Sequence, residues 1–516
     1  MPLFGSTQRT NTSRTNQKQI SERGATGTLK FLNAAGTASN SQTSLRTKHS
    51  AKRISNYLAS KIWILIICGS CGVLFGMRIF SAFLHKSKNS SSSVAASSFH
   101  QSPFSTSKAA VAGKTATATN DCLQTPEKME PTKRKNLEER LKRALWSFFA
   151  GDALSSPTHW YYGGKSQVVS EYGHPIQDYT KPNKRLSGSI LNKSDPNGGG
   201  RTKSILFGGG SAAVKDVSII GDVINHGKLP FWAPGKSYHY HLSLQRGEIT
   251  LEASIARVLM KSIVANGGKF DADHFRTAYM KFMQTPGSHN DTYASTCHRM
   301  FFANLVFRKL DPKDCPDNDQ HNVDTIDGLV LPTITALASV GNGSGSATAS
   351  ATACAGVTRR SSVLGEVAGL WSKVVLAAFA DDNPDESPSS SCFSDALSSF
   401  AEQTIRRRPN ARVKDASTMS ACYLGQSLPG LVDMVAKYSD DSKRVRGERV
   451  WEGLLANANV GGENVHRGSV MGAILGARAS GPLPAKLIDG LYAKDDLEKE
   501  IDAFVEAVLP KPQQVQ

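Results

Sequence analysis

The stretch from Gly461 to Ala477 reads GGENVHRGSVMGAILGA and contains the strongest structural pattern of the chain. Its paired glycines predict a tight turn, and the polar residues after them predict the first turn of a helix. Glycines then recur at every fourth position, at 468, 472 and 476, so one helix face is almost bare and a second helix can approach closely. Glycine costs about 1 kcal/mol in a helix interior, so the pattern requires a packing or functional reason.

The first turn of this helix presents Glu463, Asn464 and His466, and we interpret it as facing a pocket. The alternative is a core helix in which Glu463 or Asn464 only caps the backbone. This one stretch leaves both interpretations open.

The net charge of +17 is concentrated near the N-terminus. Residues 1–120 contain fifteen Lys and Arg against one acid, Glu22, whereas the remaining 46 basic and 43 acidic residues nearly balance. A nucleic-acid-binding domain carries its basic residues on the folded part, so we expect no nucleic-acid partner. Outside the apolar segment described next, the six remaining cysteines show neither a CxxC pair nor zinc-finger spacing.

The N-terminal part predicts a membrane anchor. Residues 1–60 are polar and basic, and we expect a disordered tail. Residues 62–84 are almost wholly apolar and can cross a bilayer if Arg78 extends its charge to the interface. Basic residues are more frequent before the segment than after it, which predicts a cytosolic N-terminus and a C-terminal domain on the non-cytosolic side of an endomembrane or organelle membrane. A buried core helix is the alternative.

The remaining chain predicts a linker and one all-α domain. Residues 85–135 are rich in Ser, Ala and Thr and are typical of a linker. Within the domain from 136 to 510, the first helix begins near Asn136, a second follows Thr250, and a third begins at 289–292. Further helices are expected at 364–379, 424–435 and 497–508, and loops at 163–236, 341–356 and 381–391.

Three motifs occur in the order found in the ADP-ribosylglycohydrolase family, which the chain resembles over about residues 137–480. Gly151 to His159 (GDALSSPTH) resembles the family's GDALGxPxE at the end of the first helix. Gly247 to Thr250 (GEIT) stands where the family has TDDT, and Gly461 to Ala477 resembles GGDxDT followed by a small-residue helix. The resemblance implies a compact, orthogonal multi-helix fold. It also implies an enzyme that removes ADP-ribose from modified targets, usually with two magnesium ions.

The chain departs from these motifs at several acidic positions. His159 replaces the pocket glutamate, and Ile249 replaces one aspartate of the second motif. In the third motif Glu463 replaces the first aspartate, Val465 the second and His466 the threonine. Magnesium prefers oxygen ligands, so these losses weaken a two-magnesium site. The added histidines, with His239 and His241 upstream, could instead favour a transition metal.

The resemblance assigns roles to individual residues of the site. The implied metal ligands are Glu248, Thr250, Glu463 and Asn464; the implied catalytic residues are His159, Glu248 and Glu463; the implied substrate-binding residues are Gly247, Gly461, Gly462 and His466. Helix starts after Gly247 and Gly462 would offer N–H groups to a diphosphate. We interpret Asp291 as a helix N-cap and Asp152 as a residue that braces the pocket.

The sequence favours a membrane-anchored hydrolase that cleaves an N- or O-glycosidic bond to ADP-ribose or a related ribosyl nucleotide with help from a divalent metal. Its substrate would be an ADP-ribose-containing small molecule or an ADP-ribosylated protein. The acidic substitutions support one alternative, an inactive relative that binds a nucleotide or a protein. A membrane-tethered scaffold is a third alternative, based on the anchor and linker alone.

The predicted anchor can be tested by alkaline carbonate extraction of membranes from cells that express the full-length chain. Because the apolar segment would insert into the bilayer, the protein is expected in the membrane pellet, and a variant that lacks residues 62–84 in the supernatant. Full-length protein in the supernatant would show that the segment is no anchor.

Overall fold

The computed structural model describes residues 131–199, 217–317, 323–341, 346–380, 392–406, 422–439 and 446–510. Within these ranges the chain forms helices and isolated β-bridges but no strand, which confirms the predicted all-α class. Among the helices so described, none is both long and apolar enough to cross a membrane. The predicted anchor at 62–84 and the predicted tail lie outside the described residues.

The described chain forms α-helices joined by loops and short turns. In chain order they are α1 (Pro131–Ser155), α2 (Gly164–Tyr172), α3 (Leu251–Ala265), α4 (Ala272–Gln284), α5 (Thr296–Val306), α6 (Val330–Ala338), α7 (Ala347–Thr358), α8 (Ser362–Ala377), α9 (Cys392–Ala401), α10 (Leu424–Tyr438), α11 (Gly447–Val460), α12 (Asn464–Arg478), α13 (Ala485–Asp489) and α14 (Lys494–Val508). Short 3-10 or π segments are Ser156–Thr158, Leu191–Lys193, Ile219–Val223, Leu229–Trp232, Ile326–Leu329 and Glu402–Arg406.

The helices α1 and α12 pack in direct backbone contact. A Cβ atom added to Gly472 would lie 2.2 Å from the carbonyl oxygen of Ser147, and one added to Gly476 would lie 2.2 Å from that of Arg143. Gly468 meets α1 in the same way one turn earlier. Only glycine permits so close an approach, so the predicted bare helix face and its helical partner are confirmed.

This contact runs antiparallel, so the C-terminal end of α1 lies beside the N-terminal end of α12. Arg140, near the start of α1, donates to the carbonyl oxygen of Ala477 at the end of α12, at 3.0 Å. The helix α11 packs on both helices, and α14 packs on α1 and α3. The helices α6, α7 and α8 pack against one another, and α6 also contacts α3. The core therefore surrounds α12 and brings the start of α3 toward its N-terminal end.

Four sequence predictions about helix positions need correction. Gly164–Tyr172 forms α2, although residues 163–236 were predicted to be a loop. The first helix begins at Pro131, so the last residues of the predicted linker are helical. The third predicted helix, α5, begins at Thr296 and not at 289–292. Residues Ala347–Thr358 form α7, although their low complexity indicated a loop. Their alanines favour a helix, and Gly369 of α8 leaves room for this helix to pack closely.

The backbone contact predicts a large cost for one added methyl group. Gly472→Ala would drive Cβ into the Ser147 carbonyl, so we expect the free energy of unfolding to fall by at least about 2 kcal/mol. The control is Gly356→Ala in α7, where nothing lies within 4 Å of the added Cβ, and where alanine should add up to about 1 kcal/mol. Chemical denaturation measures both, and equal stabilities of the two variants would contradict the predicted contact.

Candidate active site

Two turns meet where α1 ends and α12 begins. The N–H of Trp160 donates to the carbonyl of Gly462 at 2.8 Å, and the N–H of Gly462 donates to the carbonyl of Tyr161 at 3.1 Å. Gly461 and Gly462 have φ of +69° and +63°, which glycine adopts without strain. Trp160 has φ of 61°, an outlier for a bulky residue, so the paired backbones hold a strained turn next to the pocket residues.

The carboxylate of Glu463 is the centre of a buried cluster with two histidines and a tryptophan. Its Oε1 lies 3.3 Å from Nε2 of His159 and is hydrogen bonded by Nδ1 of His466. The indole N–H of Trp160 donates to Oε2. His159, Glu463 and His466 are all buried, so water does not screen these contacts. The structure thus brings together three of the residues predicted for the site.

A chain of contacts leads from this cluster to the start of α3. Nδ1 of His159 lies 2.6 Å from Nε2 of His241, and Nδ1 of His241 lies 2.9 Å from Oδ1 of Asp291. The other carboxylate oxygen of Asp291 accepts the N–H of Leu251, the first residue of α3, at 2.8 Å. Asp291 therefore caps α3 from a distant loop and fixes the ring of His241, and it is not the cap of α5.

Burial and neighbouring charges set the protonation of the cluster. Burial lowers the pKa of His159 to about 3, so this imidazole is neutral at pH 7. Burial would also lower the pKa of His466, but the Glu463 carboxylate outweighs it and raises this pKa to about 9. Burial would raise the pKa of Glu463, and His159 and His466 instead hold it below its usual value. Glu463 is therefore ionised beside a cationic His466.

The N–H groups at the start of α3, predicted to bind a diphosphate, already have partners. Asp152 accepts the backbone N–H of Thr250 at 2.6 Å and its hydroxyl at 2.8 Å. The next N–H, of Leu251, is taken by Asp291. Burial raises the pKa of Asp152 to about 6. Asp152 thus braces the site, as predicted, and the hydroxyl of Thr250 is engaged with it.

A second buried cluster surrounds Glu252 in the first turn of α3. Its Oε1 accepts a hydrogen bond from Ser295 at 2.7 Å and lies 2.8 Å from Nε2 of His298. The other ring nitrogen of His298 lies 2.7 Å from the hydroxyl of Tyr279. Cys297 is close by, but burial raises the pKa of its thiol to about 12. The carboxylate of Glu252 and both ring nitrogens of His298 have protein partners, so the group forms a hydrogen-bond network.

An ion pair extends this second cluster. The guanidinium of Arg359 pairs with Asp327, and both residues are buried. Asp327 also accepts a hydrogen bond from Thr325, and its Oδ2 lies 3.1 Å from the hydroxyl oxygen of Ser295. Ser295 therefore lies between two buried carboxylates, those of Asp327 and Glu252.

Two residues predicted for the site have their contacts elsewhere. The carboxylate of Glu248 accepts the N–H of Gln245 at 2.7 Å and the side-chain amide of Asn290 at 3.2 Å, and it belongs to neither buried cluster. Gly247 packs against the backbone of Gly490, where an added Cβ would lie 2.0 Å from the carbonyl oxygen. Their positions are explained by turn formation and helix packing.

The amide of Asn464 serves the turn more than the cluster. Its Nδ2 donates to Thr158 at 2.8 Å and to the carbonyl of Ala458 at 3.1 Å. Its Oδ1 is buried, and within the described ranges it has no hydrogen-bond partner. Among the ligand atoms predicted for the metal, Asn464 Oδ1 is therefore one that forms no hydrogen bond within the described residues.

Arg467, in the first turn of α12, is fully buried and hydrogen bonds the turn that precedes this helix. It donates to the side-chain oxygen of Asn457 at 2.6 Å and to the carbonyls of Glu463 and Gly461, both at 3.2 Å. Burial lowers its pKa to about 10, which still leaves it charged at neutral pH. This cation fixes the backbone on which Glu463 is carried.

Aromatic rings enclose the Glu463 cluster on the side of Trp160. The ring of Trp160 contacts Tyr240 and Tyr293 edge to face, with centroids 4.2 and 4.9 Å apart, and stacks on His159 at 3.9 Å. Tyr162, two residues along, has 54% of its side chain exposed. The half-buried Trp160 therefore lies between the cluster and the protein surface.

The sequence profile of the ADP-ribosylglycohydrolase family matches residues 133–514, which is most of the chain. The chain belongs to the ADP-ribosylglycohydrolase family. Among solved structures it is similar to an "ADP-ribosylglycohydrolase-related protein complex", with 16% identity over 73% of this chain and 100% of that chain and a TM-score of 0.43. No curated protein matches the sequence.

Membership of the ADP-ribosylglycohydrolase family supports a hydrolase-type function on ADP-ribose-containing substrates. The family typically depends on divalent metals, and the described residues contain two groups whose ligand atoms lie within 4.8 Å of one another. These are His159, Glu463 and His466, and Glu252, Cys297 and His298. The first group comes from the first and third motifs, and Glu252 of the second group lies two residues after the second motif.

The sequence interpretation missed several buried charges at this site. Glu252, Asp327, Arg359 and Arg467 were not singled out, and Asp291 was interpreted only as a cap. An available signal was Glu252 in the apolar face of α3, because an acid is rarely buried without a partner. No local pattern marked Arg359 or Asp327, which pair across 32 residues.

Removing the buried guanidinium should loosen the turn that carries Glu463. Arg467→Met keeps the volume but leaves three oxygen acceptors without donors, so we expect the free energy of unfolding to fall by about 2–4 kcal/mol. Arg478→Met, at the half-buried end of the same helix, should cost about 1 kcal/mol or less. Urea denaturation compares them, and similar losses would show that Arg467 has no special role.

Proposed function

We propose that the chain hydrolyses an N- or O-glycosidic bond to ADP-ribose or a related ribosyl nucleotide. The observation that carries the proposal is the continuous contact chain Glu463–His159–His241–Asp291, which joins the first and third family motifs. The substrate is an ADP-ribose-containing small molecule or an ADP-ribosylated protein. The family supports the reaction class, and the geometry supports the roles proposed for individual residues.

Glu463 is the carboxylate that stabilises the positive charge of the reacting ribose. Hydrolysis of a glycosidic bond passes through an oxocarbenium-like transition state, which a nearby carboxylate stabilises. His466 and Trp160 hydrogen bond Glu463 and hold it ionised in one orientation. Because the group is buried, this electrostatic contribution is larger than it would be in water.

His159 is the general base toward the attacking water. Asp291 orients His241 so that its Nδ1–H faces the carboxylate, and His241 Nε2 then accepts from Nδ1–H of His159. In this arrangement the lone pair of His159 lies at Nε2, on the Glu463 side. The low pKa keeps the ring neutral at pH 7, so the Nε2 lone pair is available to accept a hydrogen bond from the attacking water.

We also propose that residues 62–84 anchor the enzyme in an endomembrane or organelle membrane, with the hydrolase domain on the non-cytosolic side. The support is the apolar sequence and the bias of basic residues around it. The linker then lets the domain reach substrates at a distance from the membrane.

A second candidate function is a binding module without turnover. The buried side chains of Ile249 and Val465 favour it, because they occupy positions where the family has aspartates. Such a protein would keep affinity for ADP-ribose and release no product. Direct binding of ADP-ribose, measured together with turnover of an ADP-ribosylated peptide, separates the two functions.

Single substitutions test the assigned roles. His159→Gln and Glu463→Gln should each lower kcat at least about 100-fold, because a general base and an electrostatic stabiliser each contribute that much. Asp291→Asn should lower kcat less, since it acts by orienting His241. Glu248→Gln is the matched control and should keep near-normal kcat, because Glu248 hydrogen bonds Gln245 and Asn290 and lies outside the Glu463 cluster.

Release of ADP-ribose from a modified peptide, followed with each purified full-length variant, gives these rates. Equal loss in Glu248→Gln and Glu463→Gln would contradict the assigned site. No release by the unmodified protein, with intact ADP-ribose binding, would establish the binding module instead.

A further inference from the structure

The described part of the chain buries five acidic side chains, and all of them lie around the candidate site. They are Asp152, Glu252, Asp291, Asp327 and Glu463. A buried carboxylate is costly unless hydrogen bonds or opposite charges compensate it. The identity of these compensating partners therefore shows whether the site is built around metal ions.

Donors from the protein compensate every one of these carboxylates. Asp152 accepts from Thr250, Asp291 from His241 and Leu251, and Glu463 from His466 and Trp160; Glu252 accepts from Ser295 and His298, and Asp327 from Arg359 and Thr325. Among the described residues, neither of the two groups that could hold a metal contains more than one carboxylate.

A pair of magnesium ions requires a different arrangement. Magnesium takes oxygen ligands in near-octahedral geometry, usually one or two carboxylates with waters and phosphates. In the described ranges each of the two potential ligand groups contains a single carboxylate, with imidazoles or a thiol as its other members. The hydroxyl of Thr250 is engaged with Asp152, and the position of Val465 offers no ligand atom. The residues present do not fit a two-magnesium centre.

We infer that this site balances its buried carboxylates with histidine, arginine and N–H donors of its own, and that it acts on ADP-ribosyl substrates without magnesium. The second half of this inference rests on the proposed hydrolase function. The first half concerns the protein alone: an ion that bound to Glu463 would compete with His466 and Trp160 for the charge of the carboxylate.

The experiment uses the full-length protein in detergent, first as purified and then after dialysis against EDTA and removal of the chelator. Elemental analysis measures bound divalent metal, and a thermal shift assay measures Tm with magnesium chloride against sodium chloride of equal ionic strength. Calorimetry then measures the affinity for ADP-ribose with magnesium or with EDTA. Release of ADP-ribose from a modified peptide is measured under the same two conditions.

We expect less than about one tenth of an equivalent of any divalent metal per chain. We also expect no magnesium-specific rise in Tm, because an ion stabilises the folded state by mass action only if it binds to it. Affinity and turnover should agree within about twofold between magnesium and EDTA. One equivalent of metal that Glu463→Gln removes would overturn the inference. So would turnover, or ADP-ribose affinity, that EDTA abolishes and magnesium restores.

The outcomes for the two proposals are separable. Absence of bound metal together with absence of turnover would reject the hydrolase and keep the internally balanced site. Metal-dependent turnover would keep the hydrolase and reject the metal-free site. His174→Gln, a surface histidine outside the cluster, serves as the control for adventitious metal on imidazoles and should match the unmodified protein in metal content.

Discussion

The close backbone approach of α1 and α12 is the constraint on which the other features depend. With glycine at 468, 472 and 476 the carbonyl groups of α1 lie where side chains of α12 would otherwise be, so the two helices have a single register. The turn after α1 and the turn before α12 are then placed side by side. The hydrogen bonds of Gly462 with Trp160 and Tyr161 follow from this placement and put His159 against Glu463.

Burial of charge links the site to the rest of the fold. Five acids from different parts of the chain become buried together, and each is tolerable only when its partner arrives from another element. Asp291, for example, reaches both His241 and the first N–H of α3. A chain that had assembled only part of this set would leave an uncompensated charge in a low-dielectric interior. The site therefore contributes to the specificity of the fold as well as to its chemistry.

Sequence patterns predicted the features that repeat along one element. The glycine spacing of α12 and the apolar stripe of α3 are local, and both helices lie where they were expected. The order of the three motifs predicted that His159, Glu463 and His466 belong to one site. Contacts between distant elements leave no such pattern in the sequence. Glu248 and Glu252 are four residues apart, and only the packing of α3 shows which of the two side chains is buried.

Those departures from the family motifs that change the charge of the site all change it in one direction. Ile249 and Val465 each remove a negative charge, His159 replaces a carboxylate with an imidazole, and His466 replaces a neutral hydroxyl with a group that is cationic in this setting. Together they remove most of the charge that two divalent cations would have balanced. Had only the acids been lost, Glu463 would be left as an uncompensated anion; had only histidines been added, the acids would still attract metal. The two kinds of change are complementary, because each makes the other tolerable in a buried site.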